Sequence, residues 1–295
     1  MKYILGDFIG KGSFGKIYEL IDEKKKEKKI IKFIILSYYG IDNYLEPYIL
    51  LNLKNKNIFS AQNILIENKI LKIIGDKANC DLRSIIGKIK NKKNLLLQLT
   101  NGINYLHSKN ILHGDIKPEN ILKFDKTYKF SDFGYSKVMI HNYTNYILYS
   151  KKYRPPEIYN YRCYLKSDIW ALGCTFYEIL TNSSLFKQID KDLIKINNLS
   201  KENKYYYLIN LMTSTDIEKR LNYKQLCENF DILSEKFKPI KFDLKKIYQK
   251  YQIEEKDRVL LRKKIYGKNR DITTTSSYEI VEKNICNDNF CFNLL

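Results

Sequence analysis

Histidine is scarce in this chain, with three in 295 residues. The six cysteines, at 80, 163, 174, 227, 286 and 291, form no Cys-x-x-Cys spacing. A zinc-built or disulfide-stapled fold is therefore not expected, and the cysteines read as reduced thiols of a cytosol-like compartment, with a cytoplasmic location expected. Cys286 and Cys291, which lie close in sequence, could pair or share a metal, and that is the less favoured reading. No apolar run approaches the ~20 residues of a membrane span. The opening "MKYILGDFIG" lacks the apolar centre of a signal peptide, and the closing "FNLL" offers no prenylation cysteine. Acidic residues are short too: 33 Asp and Glu against 52 Lys and Arg give a formal charge of +19. That surplus fits an acidic partner such as nucleic acid, an anionic surface or acidic substrate proteins. It also fits the Lys-rich drift of A+T-rich coding. The lysines are scattered, which favours drift, and no motif supports nucleic-acid binding. The densest run, "DEKKKEKKI" at 22–30, is mixed with acids and reads as a solvated hairpin tip.

What is present is a foldable chain. Hydrophobic residues make up 44% and aromatics 14%, which argues for a globule. Up to about residue 75 the pattern is mostly strand. "KYILGDFIG", "GKIYELI" and "KKIIKFIIL" alternate around a glycine-rich turn, "YLEPYILLNL" reads as a short helix, and "QNILIEN" with "KILKIIG" reads as a hairpin. Past Asp81 the helical period takes over. Leu95, Leu99, Ile103 and Leu106 share one face, and "SDIWALGCTFYEILTN" is apolar nearly all round, as a buried helix would be. Beyond residue 230, "FDLKKIYQKYQIEEKDRVLLRKKIY" has the spacing of an amphipathic helix, and the rest reads as looser.

The glycine-rich turn carries the first chemistry. "GKGSFGKIYE" spaces Gly10, Gly12 and Gly15 as Gly-x-Gly-x-x-Gly, which lets backbone N–H groups approach phosphate oxygens. A dinucleotide-binding loop of this spacing leads into a helix. Here Ile17 and Tyr18 continue a strand, which favours a flap over ATP. Lys32 then lies inside the apolar strand "KIIKFI", where an ammonium is costly unless it has a partner. Nucleotide phosphates, with Glu46 behind, would supply one.

Farther on come "HGDIKPEN" (113–120), "SDFG" (131–134), "RPPE" (154–157), "SDIWALG" (167–173) and "EKR" (218–220). With these in order, the chain resembles a eukaryotic-type serine/threonine protein kinase over about residues 4–230. The resemblance implies an α+β, bilobal protein kinase fold: a small β-rich N-lobe (1–75), a larger mainly helical C-lobe (76–230) and a C-terminal extension (231–295). It implies ATP and Mg2+ as cosubstrate and cofactor, and Ser/Thr hydroxyls of proteins as acceptors. Position by position, Asp115 matches the catalytic base and Lys117 the residue that steadies the transferring phosphate. Asn120 and Asp132 match the magnesium ligands. Gly10, Gly12, Ser13, Phe14 and Gly15 match the phosphate flap. Lys32 and Glu46 match the phosphate-binding pair, Ile17, Ile30 and Leu122 the adenine sandwich, and Asp81 the ribose contact. Ser150 matches the hydroxyl that bridges Asp115 and Lys117 in serine/threonine kinases. Glu157 is expected to pair with Arg220, and Asp168 to cap the backbone of the catalytic loop. His113, Phe133 and Leu50 are expected to form an apolar column between the lobes.

Two departures matter. Gly114 stands where many kinases carry an arginine that reads a phosphate on the activation loop, so the enzyme is expected to be active as made, or controlled by a partner or its own tail. "TNY" at 144–146 remains a candidate phosphosite. Pro47 follows Glu46 directly, so the helix is expected to begin near Glu46, since proline suits a first turn and not an interior. The Thr/Ser cluster at 273–277 reads as a flexible polar loop or, less favoured, as an autophosphorylation site. The alternative to an active kinase is a non-catalytic scaffold that keeps the fold and binds partners.

Overall fold

The computed structural model describes residues 3–12, 15–22, 28–35, 42–67, 70–139, 142–144, 149–189, 192–195, 203–234, 236 and 238. Ser13, Phe14, two residues of the "TNY" triplet, the Thr/Ser cluster, Cys286, Cys291 and the amphipathic segment after residue 240 lie outside the described residues.

Five antiparallel strands form the first sheet: β1 (Tyr3–Lys11), β2 (Lys16–Asp22), β3 (Lys28–Ile35), β4 (Asn63–Glu67) and β5 (Ile70–Asp76), in the order β1-β2-β3-β5-β4. Side chains directly opposite one another on neighbouring strands share a face. Ile17 pairs with Lys32, Lys32 with Ile73, and Ile30 with Gly75. One face therefore carries Ile17, Ile30, Lys32, Ile73 and Gly75. The other buries Leu20, Ile31 and Ile74 beneath Tyr3, Tyr18 and Phe33.

The helix α1 (Asp42–Asn52) crosses the first of these faces and buries Ile49 and Leu50. It begins four residues before Glu46, not at it, so Pro47 lies inside the helix and the expected start is corrected. Proline there removes the hydrogen bond from position 47 to the carbonyl four residues back, a local loss of about 3 kcal/mol. Tertiary anchoring outweighs it: Glu46 is held at its carboxylate by Lys32, and Ile49, Leu50 and Leu53 are almost fully buried.

The remainder is mainly helical. β6 (Cys80–Asp81) leads to α2 (Lys92–Ser108), whose first turn is capped by the Asn91 side chain accepting the Asn94 N–H at 3.0 Å. Leu95, Leu99, Ile103 and Leu106 are all fully buried along it, as their spacing predicts. The short strands β7 (Ile111–Leu112), β8 (Ile121–Phe124), β9 (Thr127–Phe130) and β10 (Lys137–Val138) frame the loop 113–120 and the turn at 131–136. β6, β8 and β9 make one small sheet, and β7 pairs with β10. The buried helix α3 (Leu165–Thr181) sits at the centre of the second half. β11 (Phe186–Ile189), β12 (Asp192–Lys195), α4 (Lys204–Met212) and α5 (Tyr223–Glu228) complete it. A single apolar cluster runs from Leu50 on α1 through Phe133 to Leu226 on α5, so both halves rest on one core.

Candidate active site

The loop between β7 and β8 is suspended from α3 by one carboxylate. Asp168 is fully buried. Its Oδ2 accepts the His113 N–H at 2.7 Å and its Oδ1 accepts the Gly114 N–H at 3.0 Å. The Tyr149 hydroxyl donates to Oδ1 at 2.8 Å, and His107 Nε2 lies 3.1 Å from Oδ2. Burial alone would raise the Asp168 pKa; the hydrogen bond and charge of His107, with the His113 N–H, outweigh it and hold the carboxyl below its usual range. Burial raises the Tyr149 hydroxyl well above its ordinary value. Neither His107 nor Tyr149 stood out in the sequence. His107 has only its place on the buried face of α2 as a signal, and Tyr149 has none.

Gly114 has φ +83°, and a Cβ there would lie 2.6 Å from the Tyr135 carbonyl oxygen. Glycine thus fits both the left-handed backbone and the close approach. His113 is fully buried, and burial lowers its pKa. Its Nε2 faces the Ser131 carbonyl at 3.0 Å, so that nitrogen carries the proton and Nδ1 accepts the Asp115 N–H at 3.3 Å. Its ring lies 5.0 Å from that of Phe133, which shares a core cluster with Leu50.

The loop presents Asp115 to a set of donors. Lys117 Nζ donates to Asp115 Oδ2 at 2.6 Å, and Asn120 Nδ2 donates to the same oxygen at 2.9 Å. The Ser150 hydroxyl donates to Oδ1 at 2.9 Å and accepts from Lys117 Nζ at 2.8 Å. Asn120 also donates to the Asp115 carbonyl at 2.8 Å, which fixes its amide plane. The Asn120 carbonyl in turn accepts the Ser131 N–H at 2.9 Å, tying this loop to the turn that carries Asp132.

Lys32 Nζ donates to Glu46 Oε1 at 2.7 Å and to Asp132 Oδ1 at 2.9 Å. Burial alone would lower the lysine pKa; the charges of Asp132 and Glu46 outweigh it and hold Lys32 above its ordinary range. Burial raises the Glu46 pKa, opposed by Lys32 and by the Phe133 N–H. Burial would raise Asp132 as well, but Lys32 lowers it, helped by His113 and Lys117. The Ser131 N–H and hydroxyl both donate to the Asn120 carbonyl, at 2.9 and 3.0 Å, so the loop that carries Asp115 lies beside the turn that carries Asp132. Gly12 lies beside Lys32, with Nζ 3.9 Å from where a Cβ would be. The turn is closed by the Gly12 N–H donating to the Gly15 carbonyl at 2.8 Å. At Gly15 a Cβ would strike the Phe33 carbonyl oxygen at 2.1 Å, so only glycine lets the turn sit against β3. Gly10 has open space around it.

Ile17 and Ile30 are half-buried on the cleft face of the sheet, and Leu122 is half-buried on β8. Asp81 pairs with Leu122 across β6 and β8, and its carboxylate accepts the Ser84 N–H at 2.9 Å. Farther off, Arg220 forms a two-pronged bond to Glu157, at 2.6 and 2.9 Å, which also accepts from the Ser167 hydroxyl at 2.6 Å.

A match to the protein kinase domain covers residues 3–241. The chain belongs to the protein kinase family. The match runs past residue 230, to which the resemblance in the sequence extends. The chain is 36% identical over 204 residues to a probable cell division protein kinase of Encephalitozoon cuniculi, spanning 65% of this chain and 76% of that protein. It is 30% identical over 254 residues to a probable cyclin-dependent kinase 8 of Dictyostelium discoideum, 77% of this chain and 67% of that one. Over 201 residues it is 30% identical to an Aurora kinase of Yarrowia lipolytica, 62% and 53% of the two chains. The fold is the bilobal protein kinase fold, and the enzyme class is protein serine/threonine kinase. No helix among the described residues of this kinase is long and apolar enough to cross a membrane.

Proposed function

We propose that the cleft binds ATP with magnesium and transfers the γ-phosphate to serine or threonine hydroxyls of proteins, with Asp115 as the base. One observation carries this reading. The Asp115 carboxylate, held by Lys117, Asn120 and Ser150, is carried on a loop that the Asn120–Ser131 hydrogen bonds tie to the turn bringing Asp132 onto Lys32 beside Glu46. In the transfer, the acceptor oxygen forms a bond to the γ-phosphorus. The bond from that phosphorus to the bridging oxygen breaks and ADP leaves, while the hydroxyl proton passes to Asp115. Lys117 offsets charge on the moving phosphoryl group, and Lys32 engages the phosphates that remain. The backbone of Gly10, Gly12 and Gly15 covers them. Ile17, Ile30 and Leu122 hold the base, and Asp81 reaches the ribose.

The residues also fit a hard cation. Asn120 commits its Nδ2 to Asp115, which leaves the amide oxygen as its ligand atom, and Asp132 contributes a carboxylate. This suits magnesium, which binds through one or two protein oxygens together with phosphate. When bound, the ion neutralises phosphate charge. The hydroxyl of Ser150 between Asp115 and Lys117 supports serine and threonine as acceptors.

The test is incubation with γ-labelled ATP, magnesium and generic basic and acidic proteins, followed by phosphoamino acid analysis. Phosphoserine or phosphothreonine is expected. Label on tyrosine alone, or no label together with no thermal shift on adding ATP and magnesium, would overturn the reading in favour of another acceptor or a scaffold.

A further inference from the structure

Residues 77–79 connect β5 to β6, and so join the first sheet to the second half of the molecule. The start of this connector is pinned from both faces of the sheet. On the outer face, Lys29 Nζ donates to Gln62 Oε1 at 2.6 Å and lies 3.6 Å from Asp76 Oδ1, and the Gln62 amide donates to that same Asp76 oxygen. On the cleft face, Lys77 Nζ donates to Glu19 Oε1. Lys28 Nζ stands 3.7 Å from Oε2, the other oxygen of Glu19.

Glu19 sits on β2, the strand that leaves the glycine turn at Gly15. It lies opposite Ile30, in the row beside the one that pairs Ile17 with Lys32. A carboxylate on a sheet face commonly points to water, yet Glu19 is only 8% exposed. Room for it is made by Gly6 on β1. A Cβ at Gly6 would lie 2.9 Å from Glu19 Cβ and 3.5 Å from Oε2. Gly114 is the only glycine with positive φ among the described residues. Space, and not backbone conformation, therefore calls for glycine at 6, and the Glu19 side chain takes that space. The hydrogen bond and charge of Lys77 hold the Glu19 carboxyl below its ordinary range, so the pair is ionised at neutral pH.

We propose that Glu19 is a positioning residue of the nucleotide site. Through Lys77 it clasps the strand that carries the glycine flap to the connector between the two halves. This rests on the reading that ATP binds in the cleft. The clasp sets the height of the flap over the phosphates before the nucleotide arrives, which lowers the ordering cost of binding. Without it, part of the binding free energy goes into ordering the flap. Once ATP is seated the flap has the same geometry, so the loss falls on ATP affinity and not on the transfer step.

The experiment measures steady-state transfer from γ-labelled ATP to a generic protein acceptor. Glu19→Gln keeps the shape of the side chain and removes its charge. Its KM for ATP should rise about three- to fivefold, the upper range for a partly exposed ion pair. Its kcat and its KM for the acceptor should stay within about twofold of wild type. Lys77→Met, on the half-buried connector, should raise the KM for ATP by the same amount or less, since Lys28 remains near Glu19. It also serves if thermal melting shows that Glu19→Gln does not fold. The double variant should be no worse than Glu19→Gln alone, because both changes remove one interaction. A folded variant with a lower Tm and a wild-type KM for ATP would make the pair a structural brace and overturn the proposal. So would additive effects in the double variant, or equal rises in KM for ATP and acceptor. A wild type that transfers no label from ATP would sink the ATP reading itself, a result distinct from any of these.

Discussion

Replacing Asp168 by Asn is the sharpest structural test of how the catalytic loop is held. The substitution keeps the size of the side chain and trades one carboxylate oxygen for an NH2 group. Each oxygen of Asp168 serves one backbone N–H and one adaptable partner: Gly114 with Tyr149 on Oδ1, His113 with His107 on Oδ2. The tyrosine hydroxyl and the imidazole can change from donor to acceptor. A backbone N–H cannot. Whichever way the amide is turned, one of the two loop N–H groups is left buried without an acceptor. That orphan costs about 1–3 kcal/mol, and the surviving bonds lose their charge assistance, for a total of about 3–5 kcal/mol. In a domain of this size each kcal/mol moves Tm by roughly 2–4 °C, so a fall on the order of 10 °C is expected. Labelling activity should drop with it, because Asp115 rides on the same loop.

The pH dependence gives a second reading of the same carboxylate. Its folded pKa is depressed, so its stabilisation is fully present above the unfolded value of 3.8 and is lost as pH falls through the lower folded value. The gap in Tm between wild type and Asp168→Asn should hold at neutral pH and shrink only under acid conditions below about pH 4. Equal melting at pH 7 with full activity would refute the claim that this carboxylate suspends the loop.

Arg220→Ala should destabilise by about 3–5 kcal/mol, because it strands the mostly buried Glu157 carboxylate and strips the guanidinium that lies 5.1 Å over the Trp170 ring; chemical denaturation reads it as a lower midpoint at unchanged slope. Gly114→Ala should lower Tm through about 1–3 kcal/mol of left-handed strain, on top of the clash with the Tyr135 carbonyl; an unchanged Tm would argue against the backbone described at that position. Burial pushes the Lys137 pKa down to about 7, while the unfolded value is about 10.4. Between those values the unfolded chain binds the extra proton, so stability rises with pH. Lys137→Met should flatten that rise between pH 7 and 10 and stabilise the protein at pH 7, as followed by melting across the range.

Chemistry that is local in sequence was legible in it. Asp115, Lys117 and Asn120 fall within one short loop, "HGDIKPEN", whose resemblance to the protein kinase catalytic loop marked all three. The structure brings them together on one carboxylate, and it brings Lys32, Glu46 and Asp132 together on one ammonium. Helix faces were legible for the same reason, since the period of α2 is set by the core that it buries. Pro47 misled because the rule about proline is local. Anchoring of Glu46 and burial of Ile49 and Leu50 are tertiary and stronger. Tyr149 and His107 were invisible as partners of Asp168, since they come from a loop without periodicity and from a helix 61 residues away.

The central claim is that Asp115 takes the proton from the acceptor hydroxyl while ATP is held beside it. Single-turnover transfer from labelled ATP to a protein acceptor, with wild type and Asp115→Asn side by side, tests this most directly. The asparagine variant should still show a thermal shift with ATP and magnesium, but its rate should fall by about 10²–10⁴, the range for losing a positioned base. Transfer by the pure asparagine variant at the wild-type rate would contradict the assignment.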